Sequence, residues 1–357
     1  MKSNVHIRLR RVIDDSYDIR IGTSLPQAAR DIDRTFPHSL KFIITDSNVE
    51  KLYAKSFLKA LKGSNTACLV VPAGESSKNL ATKQRLEDKI LSLRPRRDSL
   101  IVALGGGMIG DLAGFVAATM LRGVPFVQIP TTLLAQVDSS IGGKVAVDHP
   151  KGKNLIGAFY QPRRVYIDLQ TLSTLSDAEF SNGMAEVIKY GAIMDNRLFS
   201  YLEKNISSVL GRKSTTLNHI IRRCCELKKF VVQKDEKEEG LRRILNFGHT
   251  IGHAVESRTR YRVSHGEAVA IGMVAEGRIS AALGLLPRSH LRRLENLIAA
   301  YGLPTSIPSS IDKRDVVRLT ASDKKAAGKR VYYTLLSAIG RARVGVGLSS
   351  QQVLSQL

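Results

Sequence analysis

The 357-residue chain has no tryptophan, and aromatic residues make up only 6% of it. Binding single-stranded nucleic acid by stacking needs aromatic platforms among basic residues. The basic runs here, RLRR, RPRR, QPRR and RSHLRRL, contain no Phe, Tyr or Trp. Cysteine is scarce as well. Cys68 and the adjacent Cys224 and Cys225 match neither a disulfide framework nor a zinc-finger spacing, so a reducing, cytoplasmic location is the expectation. The opening MKSNVHIRLRRVIDD lacks the apolar run of a signal peptide. The longest apolar region, AVAIGMVAEGRISAALGLL, is interrupted by Glu276 and Arg278, which excludes it as a membrane span. Acidic residues are the last shortage: 32 stand against 54 Lys and Arg, a formal charge of +22. Because the excess is scattered, a nucleic-acid partner is not expected; the positive field suits a small polyanionic substrate.

What is present is an ordinary globular composition, 43% hydrophobic and 24% charged. The length favours two domains. In the first half, short β-branched runs (KFIITD, ACLVVPAG, SLIVALGGG, FVQIPTT, RVYIDL) alternate with helical patterns at 48–63, 82–94 and 111–123. That alternation implies βαβ units and a parallel sheet. After Ser176 the pattern becomes helical, at 176–193, 214–234, 241–257, 266–284, 288–301 and 348–357, with no comparable strand series. The expected architecture is an α/β N-terminal domain with a Rossmann-like parallel sheet, residues 1–175, and an all-α C-terminal domain, residues 176–357.

Three stretches carry chemistry. VALGGGMIGDLAGF places Gly105-x-Gly107-x-x-Gly110 between a strand and a helix, the context in which bare backbone approaches a pyrophosphate. The next strand ends in Thr131 and Thr132 rather than a ribose-binding acid, so the turn departs from the usual dinucleotide fingerprint, and tight strand–helix packing is the competing explanation. VDSSIGGKVAVDHPKGKNLIGAF gathers Asp138, Lys144, Lys153 and Asn154 among glycines, a loop suited to phosphate or carboxylate unless it is merely solvated. In the helical half, Glu186 and Lys189 lie three residues apart, His249 and His253 four apart, and His265 opens the following helix. A lone histidine is usually a core residue; three histidines with a glutamate in glycine-punctuated helices point to a metal. Spacing alone makes both His249 and His253 ligand candidates.

Taken together, GGGMIGDLAGFVAATMLRGVPFVQIPTTLLAQVDSSIGGK, GKNLIGAFYQP, NGMAEVIKYG, LRRILNFGHTIGHAVE and HGEAVAIGM resemble the 3-dehydroquinate synthase family of sugar-phosphate cyclases over nearly the whole chain. The resemblance implies Glu186, His249 and His265 as ligands of zinc, with cobalt as the alternative, and His253 as a substrate-side acid/base group. It implies NAD contacts at Asp46, Glu75, Lys78, Gly106, Gly107, Met108, Ile109, Gly110, Asp111, Thr131, Thr132, Lys144, Lys153, Thr171, Leu172, Ser173 and Thr174. Substrate-side positions are Arg122, Asp138, Lys144, Asn154, Lys189, Lys228, Glu238, Arg242 and Asn246. SDKKAAGKR resembles a segment that supplies one more lysine, with Lys324 and Lys325 the two candidates.

The implied substrate is 3-deoxy-D-arabino-heptulosonate 7-phosphate. Its C5 alcohol is oxidised by NAD, phosphate leaves by β-elimination with its own oxygen a candidate base, the hydride returns, and ring opening and an aldol closure give 3-dehydroquinate. A homodimer is the implied assembly. An NAD- and metal-dependent alcohol dehydrogenase, a sister sugar-phosphate cyclase, and a basic binding protein on a dead enzyme fold are the alternatives. Intact Glu186, His249, His253 and His265 oppose the last.

Overall fold

The structure is a computed structural model and describes residues 6, 14–61, 65–323 and 330–357. Strands β1 (Asp18–Ile21), β2 (Lys41–Asp46), β3 (Thr66–Val71), β4 (Leu100–Gly105), β5 (Phe126–Pro130) and, after a hairpin of β6 (Lys144–His149) and β7 (Gly152–Phe159), β8 (Arg164–Ile167) build the first half. Six of them form one sheet in the order β1-β8-β5-β4-β2-β3, with every pairing parallel. β2, β4 and β5 are buried at every position, as strands covered on both faces must be.

The covering helices are α1 (Leu25–Thr35), the short α2 (Ser47–Val49) continuing through a π-turn into α3 (Lys55–Ala60), α4 (Leu80–Ser92) and α5 (Gly107–Thr119). Alternate strand residues divide between two cores. Phe42, Ile44, Ile101 and Ala103 pack with Leu86 and Ile90 of α4 and Leu112 and Val116 of α5. Ile43, Val102 and Leu104 pack with Ala28 and Ile32 of α1 and Phe57 of α3. From β2 the chain steps outward to β3, and from β4 it steps the other way to β5. The reversal leaves a crevice beside the carboxyl end of β4, where open parallel sheets bind ligands.

The second half runs through α6 (Asp177–Met194), α7 (Asn196–Lys204), α8 (Ile206–Leu210), α9 (Ser214–Lys234), a 3-10 segment (Leu241–Asn246), α10 (His249–Arg258), α11 (His265–Ala282), α12 (Arg288–Ala300) and α13 (Lys313–Asp323). The chain then forms a hairpin of β9 (Val331–Ala338) and β10 (Arg341–Leu348), and ends in α14 (Ser350–Leu354). α6 starts where its sequence signals a start: the Ser176 hydroxyl accepts from Glu179 N–H at 3.2 Å. A single large core joins Leu133, Val137 and Ile141, which follow β5, to Met184 and Ile188 of α6, Ile221 of α9 and Met273 of α11. The helices therefore pack over the carboxyl end of the sheet.

The helical half adds α7, α8 and α13 to the expected helices, and it departs from the expected all-α domain in the antiparallel β9–β10 hairpin. Two helix extents also change. The expected 241–257 helix breaks at Gly248, whose φ of 80° is left-handed, so α10 begins at His249. The expected 348–357 helix is confined to Ser350–Leu354 because β10 runs to Leu348. The Lys144–Phe159 stretch is an antiparallel hairpin rather than a loop. It lies directly on α5, where a Cβ at Gly114 would collide with Val145.

Candidate active site

Glu186 sits in the middle of α6 with no exposed surface. His249 is the first residue of α10 and His265 the first of α11. Glycines bring these helices together. A Cβ at Gly266 would collide with Asn182 of α6, one at Gly272 with the Gly248 carbonyl, and one at Gly252 would lie 2.8 Å from the Ala268 carbonyl. Asn182, one turn before Glu186, also accepts from Gly266 N–H and so ties the start of α11 to α6.

The result is a converging set of lone pairs. Nε2 of His249 lies 3.5 Å and Nε2 of His265 lies 3.7 Å from Glu186 Oε1, with the three ligand atoms within 4.8 Å of one another. Nδ1 of His249 faces the Phe247 carbonyl at 3.2 Å, which can only accept, so Nδ1 carries the proton and Nε2 the lone pair. Nδ1 of His265 faces Glu256 Oε2 at 3.3 Å in the same sense. Neither Glu186 oxygen has a hydrogen-bond partner of good geometry, although Lys189 Nζ forms an ion pair with Oε2.

Burial opposes the Glu186 charge, but Lys189, His265 and His249 hold its carboxyl down to about 2. Burial and Lys189 push His249 well below its ordinary value, so it is a neutral base. Burial opposes a charged His265, yet Glu186 and Glu256 raise it to about 9. One proton satisfies one lone pair of this set, whereas a divalent cation satisfies all three. The donor set therefore fits such an ion, with Glu256 and the Phe247 carbonyl as outer partners of the kind metal-binding histidines use.

His253 is exposed one turn beyond His249, with ring centroids 5.2 Å apart. With Glu256 and His265 it forms a second group close enough to hold an ion. There, however, Glu256 already pairs with Lys153 Nζ at 3.1 Å and with His265.

The histidines open onto a cavity of about 570 Å³ between the helices and the β6–β7 hairpin. Asp138, Lys144, Asn154, Lys189, Lys228, Glu238, Arg242 and Asn246 line it together with His249, His253 and His265, so most of the expected substrate-side residues are brought to one place. At its floor Lys228 Nζ donates to Asp138 Oδ1 at 2.8 Å, and Tyr190 OH donates to the same oxygen at 2.6 Å. Burial alone would raise Asp138, but Lys228 and Lys189 hold it far below the carboxylate range, while burial pulls Lys228 down against the attraction of Asp138. Lys144 pairs with Glu238, which accepts from Asn246 Nδ2 at 2.8 Å.

On the sheet side, Gly106 is the N-cap of α5, with no side chain capping the helix. A Cβ there would come within 3.0 Å of Thr132 Cγ2, and one at Gly107 within 2.9 Å of Ser139 Oγ. The bare turn and uncapped helix start form a cradle that side chains would fill, and this fits a dinucleotide phosphate. Asp111 lines the cavity and pairs with Lys78 Nζ at 2.7 Å; Lys78 also bonds Asn154 Oδ1 at 2.5 Å and lies 3.6 Å from Glu75. Asp46 caps α2 through Asn48 and Val49 N–H at the end of β2.

Other expected positions lie away from the cavity lining. Thr171 is tied to Gln136 and the Asp168 carbonyl, and Leu172 lies in the core. Ser173 donates to Gln170 and Thr174 meets Tyr53. Arg122 sits in a turn after α5 with φ 70°. Lys324 and Lys325 lie outside the described residues. Sequence reasoning missed Glu256, Tyr190, Leu155 and Phe159. Glu256 had a signal, since it falls seven residues after His249 on the same helical face.

A parallel sheet with a glycine turn, facing a Glu–His–His cluster across a cation-rich cavity, defines a dinucleotide- and metal-site architecture. The chain belongs to the 3-dehydroquinate synthase family. Residues 68–182 match the family's model described as 3-dehydroquinate synthase N-terminal, and residues 183–326 the one described as C-terminal. The chain is 50% identical over 322 residues to the 3-dehydroquinate synthase of Caldanaerobacter subterraneus subsp. tengcongensis, covering 89% of this chain and 90% of that protein. Among solved structures it resembles the 2-epi-5-epi-valiolone synthase of Streptomyces hygroscopicus with NAD+ and Zn2+ bound, at TM-score 0.88 and 26% identity over 98% of both chains. It also resembles 2-deoxy-scyllo-inosose synthase complexed with carbaglucose-6-phosphate, NAD+ and Co2+, at TM-score 0.87 and 28% identity over 95% of both chains. Among the described residues no helix is long and apolar enough to cross a membrane.

Proposed function

We propose that this chain is a 3-dehydroquinate synthase, converting 3-deoxy-D-arabino-heptulosonate 7-phosphate to 3-dehydroquinate and inorganic phosphate. The observation that carries the proposal is the meeting, in one cavity, of buried Glu186 and half-buried His249 and His265 with Lys144, Lys189, Lys228 and Arg242. A dehydrogenase needs the first; a substrate carrying both a phosphate and a carboxylate also needs the second.

The Gly106–Asp111 turn would hold the pyrophosphate of NAD, which would supply a reversible hydride acceptor, and Glu186, His249 and His265 would hold a divalent cation, zinc or cobalt, which would supply a Lewis acid. The chain's own residues do the rest. Lys189, Lys228, Arg242 and Asn154 orient the two anionic groups of the substrate, and Asn246 and Glu238 fix its hydroxyls. Asp138 keeps Lys228 charged. Lys144 and Lys153 act where nicotinamide and substrate meet, and Lys78 holds Asp111 beside the glycine turn. His253, exposed to the cavity, exchanges the proton of the reacting hydroxyls. The site is rich in positioning cations and poor in free bases, which suits a reaction in which an oxygen of the leaving phosphate takes the proton from the carbon beside the new ketone.

We further propose a homodimer in the cytoplasm and a division between the two domains near residue 175. Light scattering of the purified protein tests the first.

The deciding assay follows phosphate release from the heptulosonate phosphate with catalytic NAD and added zinc, while NADH absorbance is recorded. Stoichiometric phosphate without net NADH supports the synthase. Net NADH without phosphate would replace it with an alcohol dehydrogenase, and neither signal with metal bound would direct attention to the substrates of sister cyclases.

A further inference from the structure

α11 is buried along most of its length, and its burial includes a carboxylate: Glu276 has no exposed surface. An apolar residue would fill that space more cheaply, because a buried carboxylate is tolerated only where donors meet it. The donors belong to another helix. Glu276 Oε2 accepts from the backbone N–H of Gly248 at 2.6 Å, and Oε1 accepts from that of Ile251 at 3.3 Å.

Both N–H groups lie at the start of α10, where a helix leaves donors without internal partners. α10 cannot supply its own cap. Position 248 has φ 80°, and a Cβ there would come within 2.8 Å of the Val269 carbonyl and 2.6 Å of Met273 Cγ, so it takes neither Ser, Asp nor Asn. The cap has to come from outside, and α11 provides it, with a negative charge at the positive end of the α10 dipole. One turn earlier on α11, Gly272 lets the Gly248 carbonyl approach so closely that any side chain would collide with it. α11 thus grips the first turn of α10 by hydrogen bonds and by bare backbone contact. His249 lies between the two N–H groups that Glu276 holds.

We propose that Glu276 is a positioning residue for His249: by capping the first turn of α10 it fixes the direction of the His249 ring towards Glu186. The inference rests on the proposal that Glu186, His249 and His265 form the metal set. Glu276 does not line the cavity, and its influence on His249 passes through the backbone of 248–251.

The test is zinc affinity of the full chain, measured by competition with a chelator. It is accompanied by the visible spectrum of the cobalt-loaded protein and by melting of the metal-free protein. The wild type should bind one zinc, and His249→Ala should lose it. Glu276→Gln, which keeps the shape and one acceptor oxygen, should weaken zinc by on the order of tenfold and alter the cobalt spectrum. Gly272→Ala, which displaces the same turn without touching the carboxylate, should do likewise.

If Glu276→Gln lowers only the melting temperature, and zinc affinity and cobalt spectrum stay at wild-type values, Glu276 is a structural cap and the proposal is overturned. Should Glu276→Ala fail to fold, the Gln variant and Gly272→Ala carry the decision. A wild type that binds no zinc, or a His249→Ala that retains it, would overturn the metal-site reading itself, and the inference with it.

Discussion

Nδ1 of His265 lies 3.3 Å from Glu256 Oε2, and this contact turns the ring's other nitrogen towards Glu186, 3.7 Å away. Glu256 is in turn held by Lys153 Nζ at 3.1 Å, and that ammonium lies 4.3 Å from the centroid of the Tyr261 ring. The chain Lys153–Glu256–His265 links the β6–β7 hairpin, on the sheet side of the cavity, to a residue of the Glu–His–His cluster on the helical side. Burial would raise the Glu256 carboxyl, but His265 and Lys153 hold it down to about 2, so it is ionised at neutral pH and its charge orients the imidazole.

Glu256→Gln should therefore weaken zinc by about 10- to 100-fold, the usual effect of removing an outer partner of a metal-binding histidine. The amide keeps the shape but offers His265 a weaker acceptor and leaves Lys153 without its counter-charge. Chelator competition reads the affinity. An unchanged value would mean that His265 is oriented by packing alone.

His249 and His253 should separate cleanly. His249→Ala removes a ring that faces Glu186 at 3.5 Å and should abolish zinc binding and activity together. His253→Ala should retain zinc and lose about 100- to 10,000-fold in kcat, the range for a proton-transfer group. Zinc content by elemental analysis beside steady-state rates decides the matter. Loss of metal from the His253 variant would instead favour the second group, His253 with Glu256 and His265.

Spacing could not have made that distinction. Residues 249 and 253 share one face of a helix whichever of them binds metal. What tells them apart is that α10 starts at His249, after the left-handed Gly248, which sets His249 Nδ1 against the Phe247 carbonyl. The strands were legible for the opposite reason: β2 and β4 are buried on both faces, so FII within KFIITD and LIVAL within LIVALG read as unbroken apolar runs. The β6–β7 hairpin escaped because β7 alternates exposed and half-buried residues around glycines, and because α5 supports it through a contact at Gly114 that no local pattern announces. β9–β10 did carry a signal, VYYTLLSAIG, a β-prone run closing on Gly340 at φ 85°, but the helices on either side masked it.

The glycine turn offers a test of the nucleotide half alone. Gly106 has φ −74°, so alanine fits the backbone, but its Cβ would sit 3.0 Å from Thr132 Cγ2 at the mouth of the turn. Gly106→Ala should weaken NAD binding by on the order of tenfold, equivalent to about 1.4 kcal/mol, with zinc affinity unchanged. Titration of the protein with NAD, followed calorimetrically, measures it. Equal NAD affinity would mean that the turn serves strand–helix packing.

Asp31 should govern part of the acid stability, far from the cavity. On α1 it accepts from Tyr166 OH at 2.6 Å and pairs with Arg164 at 2.6 Å, Arg20 at 2.8 Å and Arg34 at 2.5 Å, so one carboxylate ties α1 to both β1 and β8. Burial would raise its pKa, but Tyr166 and the three arginines bring it down from 3.8 to about 2. A carboxylate with a depressed folded pKa contributes its stability above the unfolded value and loses it as the pH falls through the folded one. At pH 7 the contribution is on the order of 2 kcal/mol. Asp31→Asn should therefore lower the urea midpoint at neutral pH, with the gap to the wild type constant down to about pH 4 and closing towards pH 2. NAD and zinc binding should be unaffected. A gap that persists unchanged through that window would assign the effect to the geometry of the amide, with the orphaned arginines, rather than to the lost charge.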